Sequence, residues 1–235
     1  MGRSYYTPGA SRSSIMSFRE RAYTLNGAVL AATGVSDHES FVRMVEEEFP
    51  ESAPGGSAEA SVKSEYMGGE NRVSAPSTGY AHVALAFEGP TSAPVMNVLK
   101  HCLNMSGASA FAVPGVMGVY GGSAPSDASA TVDALSKVLT TAPSADVVAK
   151  AKAVAKAEAL SALDAGSKSL ADAMTASILD SCGFSAKSLA ESYDGVSADD
   201  VTKAYSAMLK SKLSLAAVGD ISDVPYHATI ATRFS

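Results

Sequence analysis

Cysteine, charge and long apolar runs are all scarce in this 235-residue chain. Its two cysteines, Cys102 and Cys182, stand far apart with no C-x-x-C pair and no Cys/His cluster around them. That spacing argues against a disulfide or metal site and leaves buried thiols in a reducing compartment as the expectation. No apolar stretch reaches the ~18–20 residues needed to span a bilayer, so membrane association is expected only through other subunits. Charged residues make up 18% of the chain, and no dense Lys/Arg stripe offsets a net charge of −6. Nucleic acid is therefore not an expected partner. What fills the gap is alanine and serine. A surface of small, weakly polar side chains tolerates close packing against other proteins, and 46% hydrophobic residues suffice for one full domain and a piece of another.

Residues 1–22 carry Arg3, Arg12, Arg19 and Arg21 against one acid, Glu20, with several serines. This is the composition of a mitochondrial presequence, and equally of an irregular arm lying on a neighbour. Residues 23–33 read as a strand that is apolar on both faces, so it should be an inner strand. Ser36 and Glu39 form a capping-box pair ahead of a helix in which Phe41, Met44, Val45 and Phe49 recur at helical spacing, and Pro50 ends it. Residues 50–64, rich in Pro, Gly, Ser and Ala, read as a linker.

A main domain is expected over residues 65–220. Strands at 66–73 and 80–88 predict an antiparallel hairpin, since Val83, Leu85 and Phe87 alternate with His82, Ala84 and Ala86. A helix at 91–105 and strands at 110–113 and 116–120 follow, with Gly121 and Gly122 in the turn beyond. Helices come next at 127–141 and from Ser144, the latter with Val147, Val148, Ala151, Val154 and Ala155 on one side. A third carries Leu170, Met174 and Ile178, a short one spans 185–192, and Ser197 caps the last, with Val201, Ala204, Tyr205, Met208 and Leu209 in register. A strand at 213–218 closes the domain, and residues 221–235 read as an irregular tail. Strands, then helices, then a returning strand predict an α+β class, an antiparallel sheet covered by helices on one face. Residues 23–49, one strand and one helix, cannot bury a core alone. The strand either joins the main sheet or belongs to an incomplete first domain that another polypeptide completes, and the length of the 50–64 linker favours the second.

Three segments carry a family resemblance. Tyr66-Met67-Gly68-Gly69-Glu70-Asn71-Arg72 followed by Ala81-His82-Val83-Ala84-Leu85-Ala86-Phe87-Glu88-Gly89 resembles the start of the second domain in α subunits of the mitochondrial processing peptidase and core protein 2 of the cytochrome bc1 complex. Leu25 to Val35 with Asp37-His38-Glu39 is similar to the end of that family's first domain. Leu215 to Pro225, closing with Arg233-Phe234, is similar to its C-terminus. The resemblance implies a peptidase-like fold, with the first domain present only as its last strand and helix. It implies a non-catalytic core subunit of respiratory complex III on the matrix side of the mitochondrial inner membrane. The implied partners are a β-type core subunit, cytochrome b, cytochrome c1, the Rieske protein and a separate chain completing the first domain. The alternative it leaves open is the substrate-handling α part of a processing peptidase, working with a zinc-bearing β subunit.

The family's peptidases use an inverted zinc motif, H-x-x-E-H. The residues three beyond His38, His82, His101 and His227 are Phe41, Leu85, Asn104 and Ile230, so no glutamate follows at that spacing. H-E-x-x-H fails as well, because Val42 stands where its second histidine belongs. No catalytic, cofactor or metal residue is therefore assigned. His82 is expected to be a hydrogen-bonded structural histidine, His38 a first-turn surface residue, and Glu46–Glu48 a solvated helix face. Neither Gly68-Gly69 nor Gly121-Gly122 opens a helix after a strand, so neither reads as a phosphate cradle. The family's long glycine-rich substrate loop is reduced here to Met105-Ser106-Gly107-Ala108-Ser109, which tilts the reading toward the core subunit.

Overall fold

The last strand of the chain lies inside its sheet, between the first two strands. The computed structural model describes residues 11–23, 28–49, 65–179 and 184–234. In chain order the elements are α1 (Arg12–Ala22), α2 (His38–Glu48), β1 (Gly69–Ser74), β2 (Ala81–Glu88), α3 (Ala93–Met105), β3 (Ser109–Val113), β4 (Val116–Ser123), α4 (Ala128–Thr140), α5 (Ala145–Asp164), α6 (Ser167–Leu179), α7 (Ala186–Asp194), α8 (Ala198–Lys210), β5 (Ser214–Gly219) and α9 (His227–Ala231). They form two compact units, Met1–Ser64 with Ala162–Phe184, and Glu65–Ser161 with Ser185–Ser235.

The second, larger unit is the α+β layer that the sequence predicts, with one pairing different. Its strand order is β1-β5-β2-β4-β3. β5 runs antiparallel to β2 and parallel to β1, so Gly69 lies opposite Ser214, and Ala216 opposite both Asn71 and Ala84. The expected β1–β2 hairpin is thus not made, and the sheet is mixed. The connection explains why. Its 3-10 turn at Pro76–Thr78 and the residues beside it bridge two strand spacings, about 10 Å. β5 is stitched into the gap by Ala75 N–H donating to the Gly219 carbonyl at 2.7 Å and Asp220 N–H to the Tyr80 carbonyl at 2.9 Å. At Gly219, φ is +110°, and a Cβ there would fall 2.0 Å from the Tyr80 carbonyl oxygen. Only glycine lets β5 end so close to the start of β2.

Alternation along β2 sends Ala81, Val83, Leu85 and Phe87 to one face, where all four are buried. They meet Leu99 and Leu103 of α3, Val132 and Leu139 of α4, and Val201 and Met208 of α8 in one core. Helix periodicity anticipated most of this. α8 opens with the reciprocal Ser197–Asp200 capping box, and Tyr205 donates from its hydroxyl to the Leu139 carbonyl at 2.8 Å. On α5, Val148, Ala151 and Ala155 are buried, but Val154 of the same predicted face is 43% exposed. Lys152 on that helix donates to the Asp194 and Val196 carbonyls at 2.7 and 2.9 Å, closing the exposed C-terminus of α7. Cys102 lies in the core, where burial pushes its thiol pKa up to about 11. Cys182 falls outside the described residues.

The C-terminal tail, read as irregular, is part of this unit. Arg72 donates to the Val224 carbonyl at 3.1 Å and to that of Pro225, and its guanidinium lies 5.1 Å from the Tyr226 ring centroid. The same guanidinium bonds Glu70 and holds that carboxyl below its usual range. α9 then buries Ile230 completely, and Phe234 meets Phe87 edge-on with ring centroids 5.0 Å apart.

In the first unit two expectations change. The segment read as an irregular arm contains α1, capped by Ser11, whose hydroxyl accepts from Ser14 N–H at 3.1 Å. Of the predicted strand at 23–33, residues 24–27 lie outside the described residues and 28–33 carry no strand. An inner strand forms only with a neighbour to pair with, and the described residues of this unit contain none. α2 begins one residue later than predicted: Asp37, not Ser36, is the cap, accepting from Glu39 N–H at 3.0 Å. The predicted linker, 50–64, lies outside the described residues. No described residue of this unit is buried.

Two substitutions test the larger unit. Gly219→Ala should destabilise it by about 3 kcal/mol, the range for overpacking at a backbone contact with added φ strain. Ile230→Ala should cost a similar ~3 kcal/mol if the tail is integral. Urea denaturation measures both, and an unchanged midpoint for Ile230→Ala would return the tail to an unpacked extension.

Candidate interaction face

The sheet has a second face, which the described helices of its own unit leave partly exposed. The cross-strand register places Val73, Val218, His82 and Gly122 in one row across β1, β5, β2 and β4. The next row holds Asn71, Ala216, Ala84, Tyr120 and Ser109, and the third Gly69, Ser214, Ala86, Gly118 and Phe111. Residues directly opposite one another share a face, so this surface is built from small and apolar side chains. Val73 is 48% exposed, Val218 45% and Tyr120 43%. A hollow of about 470 Å³ is lined by Ala84, Ala86, Ala216, Phe111 and Val116 together with Glu70, Asn71 and Ser214.

At one end the face carries an aromatic cluster. The His82 and Tyr120 rings stack with centroids 5.9 Å apart and planes 10° from parallel. His82 Nδ1 and the Tyr120 hydroxyl are hydrogen-bonded at 2.7 Å, and the Tyr80 ring lies 5.1 Å from that of His82. Gly122 makes room for them, since a Cβ there would come within 2.9 Å of the Tyr80 ring and 3.0 Å of His82 Nδ1. Gly121 and Gly122 are therefore strand residues of β4, not the turn that the sequence reading assigned. At the other end the Tyr66 hydroxyl bonds Ser214 Oγ at 2.7 Å and donates to the Ala86 carbonyl at 3.1 Å. Burial raises its pKa.

This arrangement presents apolar area and few polar groups, of which His82 pairs with Tyr120 and Ser214 with Tyr66. The other histidines do not join it. His38 opens α2. His101 Nε2 pairs with Glu158 at 2.5 Å, and His227 Nε2 is hydrogen-bonded to the Leu213 carbonyl at 2.9 Å. Among the described residues no group of three or more His, Cys, Asp or Glu is placed to hold a metal ion. Glu46, Glu47 and Glu48 are exposed on the last turn of α2, as a solvated face requires. The α3–β3 connection, where the family's glycine-rich loop would lie, consists of residues 106–108 alone.

The sequence pointed to His82 as a hydrogen-bonded residue, which it is. It missed the Tyr80–His82–Tyr120 grouping because the register of β2 on β4 brings those residues together. Their shared alternation parity was the available signal. Tyr120→Phe should remove the bond to His82 at a cost of about 1 kcal/mol, since the Tyr120 end of the pair is exposed. Denaturant titration checks this, and a loss of several kcal/mol would make the cluster a structural strut instead of an available surface.

No protein-family model matches the chain. Among curated proteins, the chain is 28% identical over 243 residues to the mitochondrial cytochrome b-c1 complex subunit 2 of Cryptococcus neoformans var. grubii, an alignment covering 90% of this chain and 55% of that protein. The chain thus spans about half the length of this relative. Among solved structures it matches a chain of complex III2 from Candida albicans, determined with Inz-5 bound, at a TM-score of 0.86 and 16% identity, covering 99% of this chain and 64% of the other. The resemblance to core protein 2 that the three motifs carried is borne out by these two matches, and the peptidase-like α+β fold with it. No helix among the described residues is long and apolar enough to cross a membrane.

Proposed function

We propose that this chain serves as a non-catalytic core subunit of mitochondrial respiratory complex III, held peripherally on the matrix side of the inner membrane. The observation that carries the reading is the similarity to subunit 2 of the cytochrome b-c1 complex along 90% of the chain. The geometry supports it. A sheet face dominated by alanine, glycine, valine and tyrosine, with few polar side chains among them, suits packing against protein better than binding a small substrate. In this reading the open sheet face is turned toward a β-type core subunit, and the assembly sits beneath cytochrome b with cytochrome c1 and the Rieske protein as further neighbours. The chain itself holds no zinc, haem or quinone and takes no part in electron transfer. The peptidase α-subunit alternative is not favoured, because both relatives bear the names of complex III proteins and the connection at 106–108 leaves no room for a substrate loop.

The domain organisation follows the same reading. Residues 23–49 are the last strand and helix of a first peptidase-like domain, and residues 50–64 join it to the second. A unit without a buried described residue cannot offset its own chain entropy. Strands from a separate chain complete it, pairing with the segment around residues 28–33 that carries no strand here.

The deciding experiment is mild-detergent purification of the tagged chain from mitochondria with mass spectrometry of everything retained. Cytochrome b, cytochrome c1, the Rieske protein, a β-type subunit and a small first-domain chain are expected. Recovery of a zinc-bearing partner alone, with presequence cleavage, would overturn the assignment, and a heavier single chain bearing the missing strands would overturn the split. Ala84→Arg adds a sharper check. A charge at the centre of the open face should leave the denaturation midpoint within about 0.5 kcal/mol while cutting retention of the β-type subunit at least tenfold.

A further inference from the structure

α1 is an 11-residue helix in which every residue is exposed, including Ile15 at 58% and Phe18 at 53%. Isolated helices of this length are marginal in water even when well capped. An apolar side chain left in water also forgoes the stabilisation that burial brings. Something that covers this helix is therefore worth seeking in its chemistry.

At 100° per residue, Phe18, Ala22, Ile15, Arg19, Arg12 and Met16 fall in that order within an arc of about 160°. The remaining arc holds Glu20, Ser13, Ser17, Arg21 and Ser14, so the helix's one acid points away from the apolar side. Two arginines are interleaved with the large apolar residues on a single face. A protein groove closing over Ile15 and Met16 would have to bury Arg19 and Arg12 between them, which is costly without paired acids. An anionic lipid surface meets both demands at once. The guanidiniums snorkel to phosphate oxygens while Ile15, Met16 and Phe18 enter the headgroup–acyl boundary. Tyr23, exposed at the C-terminal end of the helix with its ring 6.3 Å from that of Phe18, is an aromatic of the kind that settles at membrane interfaces. The charge is local. α1 carries three arginines and one glutamate in a chain whose net charge is −6, so this segment, unlike the chain as a whole, would be drawn to an anionic surface.

We propose that the face of α1 formed by Arg12, Ile15, Met16, Phe18 and Arg19 docks on an anionic phospholipid surface, giving the chain a membrane contact of its own. This revises the expectation that membrane association runs only through other subunits, and it does not rest on the assignment to complex III.

The test floats the purified 235-residue chain with phosphatidylcholine vesicles and with phosphatidylcholine/phosphatidylglycerol vesicles. Partition onto the anionic vesicles should exceed that onto the neutral ones at least tenfold and should weaken as salt is raised. The double variants Arg12→Ser with Arg19→Ser, and Ile15→Ser with Phe18→Ser, should each lose at least tenfold, while Ser17→Ala on the opposite arc changes nothing. None of these positions is buried, so an unchanged denaturation midpoint confirms that each variant is folded. Equal binding to neutral vesicles, binding indifferent to both double variants, or retention of the helix by a protein partner with no vesicle binding would each overturn the proposal. All three would leave the complex III reading standing.

Discussion

The insertion of β5 between β1 and β2 is the constraint on which the larger unit depends. It sets Gly69 opposite Ser214 and Val73 opposite Val218, joining the two ends of the domain in one ladder. Without β5, β1 has no partner and β2 has a partner on one side only. The positive φ of Gly219 and the hydrogen bonds around Tyr80 and Ala75 are consequences of this insertion, because a third strand must end where the first connection turns. So is the anchoring of the tail. β1 is an edge strand, and Arg72 on it grips the Val224 and Pro225 carbonyls, so the chain beyond β5 folds back along the edge that β5 helped to form. An edge covered in this way is a poorer template for unwanted strand pairing.

The two faces of the sheet then diverge in chemistry. One carries Leu85, Phe87, Met117, Val119 and Leu215, all buried beneath α3, α4 and α8. The other carries alanines and glycines at its centre, with valine and tyrosine around them. Large side chains in the centre would serve a sheet meant to cover itself with helices. Small ones let another backbone approach closely, and that is why this face suits a protein surface. The His82–Tyr120 pair fits this reading, because His82 Nδ1 and the Tyr120 hydroxyl satisfy each other within the face.

Much of this was legible in the residues, and the exceptions share a cause. Helical periodicity located α3, α4, α5, α7 and α8 to within a few residues, and alternation located the strands of the larger unit. Periodicity names the face a residue belongs to but not the strand beside it. The hairpin expectation failed at that point, since residues 66–73 and 80–88 have the right pattern and a plausible connection, and nothing local says that β5 will intervene. The aromatic grouping was invisible for the same reason. The tail was missed because α9 is only five residues long and its contribution comes from single residues, Ile230 and Phe234, set in a polar stretch. Pattern reasoning needs repetition, and there is none there. α1 was missed because Arg/Ser-rich composition masks a helix whose capping serine, Ser11, is one serine among many.

Charge separates the surfaces that remain apolar and exposed. The centre of the open sheet face is neutral: Val73, Asn71, Ala84, Ala216, Val218 and Tyr120 bring no ionised group, and the carboxylates of Glu70 and Glu88 stand at its margin. α1 is basic, with arginines among its apolar residues. α2 ends in Glu46, Glu47 and Glu48, with Met44 and Phe49 exposed beside them. A neutral face of small residues gains little from an anionic bilayer, because it offers no cation to the phosphates and few bulky side chains to the acyl boundary. It gains most from a complementary protein surface that expels water from alanine and valine. A basic apolar helix has the opposite preference, since desolvating its arginines against protein requires acids at matching positions, whereas a phosphate layer supplies acceptors wherever the side chains reach. The acidic end of α2 would be repelled from such a layer. The three surfaces therefore differ in the partner chemistry that each would accept, and they are not suited to one common occupant.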